Sequence, residues 1–447
     1  MAALALMTAA CSNDDNEFAQ QPQKAEGITI TAQLAPKTNG ATTRAVSDGG
    51  NKIISAWAEN EHIAILYEVS STKYVADATI TAVDGSGTAT ITFTVDGGTP
   101  DNTPCTLVYP LSAAKDDKSG VKDAATLLAA QDGTLNANLD VRVGAGTIRT
   151  TTPGLDVTTQ PAAQFAIFKF TLSGPSIDAT HPLVIKDNAS NTTITTVTPA
   201  STATSVYVAM PAAASKAYKF VVITADNKYI KSGTATIEAG KYYQTPLTME
   251  PRYPLALSSA TAEWDLGAVA CSDGNLYMEK NAAPSGKTAI GIVGKVTETG
   301  HGLILALQDA PKQTWNTING WGSLTSYAGT TLKLLPDDAA RGSLTGLIML
   351  PSLLSDPIPV SNWCVAQKSD YDEIFVNLGS TDVNSNGTTY DGNVNAYITT
   401  GVGGTAMTSN NYWSATQYDV NFAWNFGYSW SELGKELSLS VRPVLGF

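Results

Sequence analysis

Between Gly27 and about Pro251 the chain consists of short runs rich in Ile, Val, Thr and Tyr, and no other feature restricts its fold as strongly. GITITAQL, HIAILYEV, ATITAV, TATITFTV and CTLVYP come first. Several of them alternate apolar and polar residues, the period of a half-buried strand. Turn formers such as DGSG and DGGTPDNTP separate them. A second group follows: AIFKFTLSG, PLVIKD, TTITTVTP, SVYVAMP, KAYKFVVITAD, KYIKSGTATI and KYYQTPLTM. The stretch 111–164 is less regular, and VKDAATLLAAQDG has room for one short helix. Strands this short bury one face each and need a second sheet to cover it. Two antiparallel β-sandwiches in tandem are therefore expected.

The first residues, MAALALMTAACSNDDNEF, carry an apolar run of ten, half of what a bilayer-spanning helix needs (~20 residues). Ala9 and Ala10 stand directly before Cys11. This is the apolar core and small-residue cleavage site of an export signal, ending in the cysteine that bacterial lipoproteins acylate. Thr8 stands where such signals usually carry Leu, and no Lys or Arg precedes the run. A buried N-terminal helix is the plain alternative. Residues 12–26 are polar and aperiodic and read as a flexible tether.

Composition agrees with export. The 447 residues are 43% hydrophobic and 15% charged, which gives room for about three domains. A net charge of −13 argues against a nucleic-acid partner, which would need clustered Lys and Arg. With Cys11 acylated, Cys105, Cys271 and Cys364 remain. They form neither a disulfide framework nor a metal knuckle, and at most Cys271 and Cys364 pair.

An ordered set of features in the first 250 residues resembles the fimbrillin family, the lipoprotein subunits of type V pili. The lipobox and tether lead into a first strand, GITITAQL. TRA follows at Thr43–Ala45, then a Trp with acidic residues ahead of a strand in ISAWAENEHIAILY, and LVYP closes a first domain. FAIFKFTL, the YVAMP turn and GKYYQTPLTM mark a second. The resemblance implies transthyretin-like sandwiches at 27–155 and 156–251, behind a signal at 1–10 and a tether at 11–26. It also implies that Arg44–Ala45 is the bond cut by an arginine-specific protease. The strand around 27–35 then leaves, and another pilin subunit inserts its own strand by β-augmentation. Arg44 sits in TNGATTRAVSDGG, a stretch of small and turn-forming residues of the kind proteases cut. An ordinary surface arginine is the alternative.

Beyond PRYPL the texture changes: seven of the eight tryptophans (264, 315, 321, 363, 413, 424 and 430) lie here, leaving Trp57 upstream. WDLGAVACSDGNLY, AIGIVGKV, HGLILALQDA, NYWSATQYDVNFAWNF and SVRPVLGF resemble a mixed α+β C-type-lectin-like domain of the kind shared with formylglycine-generating-enzyme-like proteins, covering 252–447. LIMLPSLLSDPIPVSNW departs from the W-x-LP turn of relatives. Trp413, Trp424 and Phe426, at alternating strand positions, read as core rather than sugar platforms. The loop STDVNSNGTTYDGNVNAY offers Asp382, Asn384 and Asn386 in D-x-N-x-N-G spacing, with Asp391 beyond. That spacing can gather oxygen ligands around Ca²⁺, weakly because position twelve is Asn393 rather than Glu. An Asn/Gly turn network is the alternative. The terminal SVRPVLGF reads as a buried closing strand and not as a spare one to donate.

Enzyme chemistry has little footing. His62, His181 and His301 fall in three different expected domains, and GxSxG, HExxH and Walker-type loops are missing from the sequence. The likeness to formylglycine-generating enzymes is one of fold, which does not carry activity. The expectation is a mainly β protein: an outer-membrane lipoprotein precursor of a surface pilus subunit, acting at the fibre tip. Its partners are other pilin subunits and a glycan or protein ligand, and it needs no cofactor. A monomeric, surface-anchored carbohydrate-binding lipoprotein is the rival reading. A secreted enzyme with a degenerate site is a distant third.

Overall fold

The computed structural model describes residues 26–37, 46–48, 53–315, 326–327, 330–331, 333–334, 363–384, 386–408, 411–419, 421–427 and 429–447. Cys11, Arg44 and Ala45 lie outside them. The protein is mostly β, with multiple antiparallel sheets. Two compact units divide the chain: Met1–Thr171 with Val184–Tyr218 and Gly233–Leu247, and Leu172–Leu183 with Lys219–Ser232 and Thr248–Phe447.

The first unit holds a seven-stranded sheet. Its strands are β1 (Ile28–Leu34), β2 (His62–Val69), β3 (Thr72–Val83), β4 (Ala89–Val95), β5 (Thr103–Tyr109), β6 (Arg142–Arg149) and β7 (Gly154–Ala163). Their spatial order is β1-β4-β3-β2-β5-β6-β7, every pair antiparallel. HIAILYEV explains why β2 is central. Ile63, Ile65 and Tyr67 face one apolar cluster with Trp57, Phe93 and Leu107. Ala64 and Leu66 face a second with Leu128, Leu139, Phe165 and Ile167. A strand covered on both faces reads as an unbroken apolar run, as this one does. The expected helix in VKDAATLLAAQDG is Ala124–Leu128, started by Asp123, whose carboxylate accepts from Thr126 N at 2.8 Å.

The stretch 165–251 supplies a three-stranded sheet and most of a six-stranded one. In the former, β8 (Phe165–Ser173) and β9 (Ser205–Pro211) pair antiparallel over Phe165–Thr171. In the six-stranded sheet the two residues Ala130–Gln131 pair in parallel with Thr196 and Val197. Gln131 is buried, and its amide is satisfied by Thr195 Oγ1, Ala209 O and Ala209 N at 2.8–3.0 Å. This removes the cost of burying it.

The second unit contains an eight-stranded and a five-stranded sheet. The strands are β10 (Leu255–Ala256), β11 (Val269–Cys271), β12 (Asn275–Tyr277), β13 (Ala289–Glu298), β14 (His301–Ala306), β15 (Ala310–Thr314), β16 (Lys333–Leu334) and β17 (Trp363–Val365). Then come β18 (Tyr412–Gln417), β19 (Phe422–Phe426), β20 (Trp430–Gly434), β21 (Ser438–Val441) and β22 (Val444–Gly446). The larger sheet runs β10-β12-β11-β13-β14-β22-β17-β16, the smaller β15-β21-β18-β19-β20. Helices α1 (Lys368–Asn377) and α2 (Gly392–Thr399) complete the unit, with Tyr371, Ile374, Phe375, Val394 and Ile398 in its core. The last strand, β22, is internal. It pairs with β14 on one side and β17 on the other, with Val444, Leu445 and Phe447 fully buried.

This order excludes a Cys271–Cys364 disulfide. β11 and β17 stand four strand steps apart, roughly 19 Å at ~4.8 Å per step. A disulfide needs Cα atoms within about 7 Å. Cys271 is a free, buried thiol, and so is Cys105 on β5. Among the described residues, no helix is long and apolar enough to cross a membrane.

Candidate functional site

The site in the first unit is β1 and the three residues behind it. β1 is an edge strand, paired with β4 along its whole length from Ile28↔Val95 to Leu34↔Ala89. Its alternation is strict: Ile30, Ala32 and Leu34 point into the core, and Thr29, Thr31 and Gln33 point out. Ile30 and Leu34 are fully buried beside Ile91, Phe93 and Trp57.

Directly after β1 the backbone is clamped at three points. Ala35 N donates to Gln160 Oε1 at 3.2 Å, Trp57 Nε1 donates to Ala35 O at 2.8 Å, and Arg142 donates to Lys37 O at 3.4 Å. The Lys37 side chain then turns inward, and none of its surface reaches solvent. Its Nζ lies 4.2 Å from the centre of the Trp57 ring and 3.5 Å from that of Tyr109, two rings packed edge to face. Glu61 and Asp140 stand 3.6 and 3.5 Å away.

Both carboxylates are themselves held. Tyr109 Oη donates to Glu61 at 2.7 Å and Ala58 N donates to its other oxygen at 3.0 Å. Arg142 Nε donates to Asp140 at 2.9 Å, and Ser55 Oγ donates to it as well. Burial lowers the Lys37 ammonium to about 8 against the opposing pull of Asp140 and Glu61. Burial, then the Glu61 charge, raises the Tyr109 phenol far above its usual range. Nothing in LAPK announces this cage, because its walls lie 18 to 105 residues further along the chain.

In the second unit the structure brings the loop residues singled out by spacing into one hairpin, Val383–Asn384 with Gly387–Thr388, and employs them as struts. Asp391 caps α2. Its Oδ1 accepts from Asn393 N (2.8 Å) and Val394 N (3.2 Å), and its Oδ2 accepts from Thr381 N (2.8 Å). Burial alone would raise its pKa, but these N–H donors hold it below the usual carboxylate value. Asp382 accepts from Thr389 Oγ1 at 2.9 Å, and Asn386 donates to Trp430 O at 3.2 Å. Asn384 enters through its backbone pairing with Gly387. These contacts are those of a turn network. Among the described residues, no three His, Cys, Asp or Glu are grouped to hold a metal. His62, His181 and His301 face Asp77, Asp178 and Glu298 respectively, each at a separate place.

One core assignment needs correction. Trp413 and Phe426 are buried, as expected, but Trp424 is only partly so. Phe422, Trp424 and Phe426 share a face of β19 that slopes from surface to core. Phe422, at its outer end, is 41% exposed. Tyr418, 56% exposed, meets the Trp424 ring edge to face at 5.6 Å, and Lys368 Nζ lies 5.4 Å from the same ring. The signal was present in QYDVNFAW, where Tyr418 precedes a polar turn, but alternation alone does not say which end of a strand reaches the surface.

No family model matches this chain, and no curated protein does. Solved structures with remote likeness exist. A fimbrial protein from Bacteroides ovatus aligns over 95% of this chain and 100% of its own, at 13% identity and a TM-score of 0.26. A putative cell adhesion protein from the same species aligns over 51% of this chain and 95% of its own, at 14% identity and a TM-score of 0.29. The minor pilin of Streptococcus agalactiae covers 50% and 96%, at 12% identity and a TM-score of 0.22. Likenesses this remote assign neither family nor function.

Proposed function

We propose that this chain is the precursor of a fimbrial subunit with an adhesive role, assembled by replacement of its first strand. The observation that carries the reading is β1: an edge strand, alternating, and fully paired with one neighbour. Its loss would expose the β4 edge and the slots of Ile30 and Leu34, roughly 3–6 kcal/mol of apolar burial that an incoming strand recovers. Processing at Arg44–Ala45, seven residues beyond Lys37, detaches that strand covalently from the rest of the chain. Acylation at Cys11 holds the precursor at the outer membrane until then. Residues 438–447 form interior strands of the second unit, which supports reading them as part of the fold rather than as a donor strand, and with that a position at the fibre tip.

The rival reading, a monomeric carbohydrate-binding lipoprotein, is favoured by exposed Tyr418 set edge to face against half-buried Trp424, aromatic surface suited to stacking on a sugar. Limited digestion with an arginine-specific protease, followed by immunogold microscopy of fibres, separates the two. The fimbrial reading expects a first cut after Arg44, label at fibre ends, and no incorporation of Arg44→Ala. Persistence of the uncut chain as a monomer would support the rival. Label spaced along the shaft would overturn the tip assignment.

A further inference from the structure

We propose that the cage vacated by Lys37 is a recognition site for a lysine of the incoming strand, placed three residues after that strand's last inward-facing apolar residue. The inference rests on the strand-replacement reading above and specifies which strands are accepted.

In the intact chain the spacing is set by Leu34, the last buried residue of β1, and Lys37. Trp57 fixes the Ala35 carbonyl between them and Arg142 fixes that of Lys37, so the register of the strand dictates where the ammonium arrives. When residues 28–37 depart, Glu61 and Asp140 remain against Arg142 alone. The cage then carries one formal negative charge in excess, between two aromatic faces. A compact ammonium meets both features at neutral pH, where Lys37 is still charged although burial lowers its pKa to about 8: it offsets the excess charge and lies over the rings.

An apolar side chain of the same length would leave one of the two carboxylate charges sealed in without a counter-charge, which is costly for buried groups. A guanidinium is a planar fork rather than a compact point charge, whereas Lys37 Nζ lies over both rings with the two carboxylates at 3.6 and 3.5 Å, the place of a point charge. Other strands can fill the slots of Ile30 and Leu34 by being apolar. The cage adds a requirement that composition alone does not meet, and it fixes register, because a strand slipped by one residue turns its inward-facing residues to the opposite face.

The test uses the full chain, cleaved after Arg44 and freed of its leader in mild denaturant. Synthetic peptides spanning residues 27–40 are titrated into it and followed by fluorescence anisotropy. The native peptide should bind. The Lys37→norleucine peptide, and one in which Lys37 and Thr38 are exchanged, should bind at least tenfold more weakly. Equal affinity of all three would overturn the lysine site while leaving strand replacement intact. Failure of every peptide to bind would overturn both.

Discussion

Removing the last four residues, Val444–Phe447, should unfold the second unit, and the size of the effect follows from where β22 sits. Val444, Leu445 and Phe447 are 0%, 0% and 1% exposed. Burying each is worth about 1.5–3 kcal/mol, so the deletion forfeits roughly 5–9 kcal/mol of apolar burial. The backbone loss is added to this. Leu303, Ile304 and Leu305 on one side and Trp363 and Cys364 on the other lose their strand partner, and Gly302 loses both bonds to Phe447 (3.0 and 3.1 Å). Whole domains are stable by about 5–15 kcal/mol, so most or all of the unit's stability disappears. Thermal melting followed by tryptophan fluorescence is the direct assay, since Trp363, Trp413 and Trp430 are buried in this unit. The truncated chain should show no second-unit transition, or one lowered by more than about 10 °C. Leu445→Ala provides a graded version at about 2–5 kcal/mol. A truncated chain melting within about 2 °C of the full one would refute the claim that these residues are integral, and with it the reason for denying them a donor role.

Lys37 gives a pH prediction whose sign is unusual. Its ammonium is lowered from 10.5 to about 8 in the fold, so above pH 8 the unfolded chain binds the extra proton and stability of the first unit rises towards pH 10.5, by up to roughly 3 kcal/mol. Urea titrations across that window should show the rise in the native chain and its loss in Lys37→Met; a fall in both would contradict the placement of the side chain. Asp391→Ala removes the cap of α2 and should cost about 0.5–2 kcal/mol in the second unit, read from its melting temperature, with Asp391→Asn costing less. Cys11→Ser should abolish acyl labelling and release the precursor from membranes; unchanged membrane association would exclude Cys11 as the anchor.

How far the sequence speaks depends on the range of the interaction involved. β1 and β4 are readable because alternation is local, each inward residue of ITITAQL being visible two positions from the next, and β2 because its apolar run is unbroken. The interior place of SVRPVLGF is readable for a related reason, its density of Val, Leu and Phe. Asp391 is a different case. It reads as an oxygen ligand lying beyond the D-x-N-x-N-G spacing of Asp382, but Asp ahead of Gly-Asn-Val is equally a helix cap, and the chain after Gly392 turns into α2 with Asp391 accepting from its first N–H groups. The Lys37 cage is unreadable altogether, since Trp57, Glu61, Tyr109, Asp140 and Arg142 converge through the topology of the sheet and share no local period. The mistaken core assignment of Trp424 has the same origin. Periodicity identifies a face of a strand but not the depth at which each residue of that face ends.

The two free thiols among the described residues carry a practical consequence. Cys105 belongs to one compact unit and Cys271 to the other, both are buried, and burial pushes each thiol up to about 12. The reactive species towards alkylating reagents is the thiolate, so at neutral pH each sulfur reacts when its surroundings open and hardly at all before. The chain thus contains two internal clocks, one for each unit. Alkylation timed by peptide mapping would report the opening free energy around β5 and around β11 in the same sample, without an engineered probe.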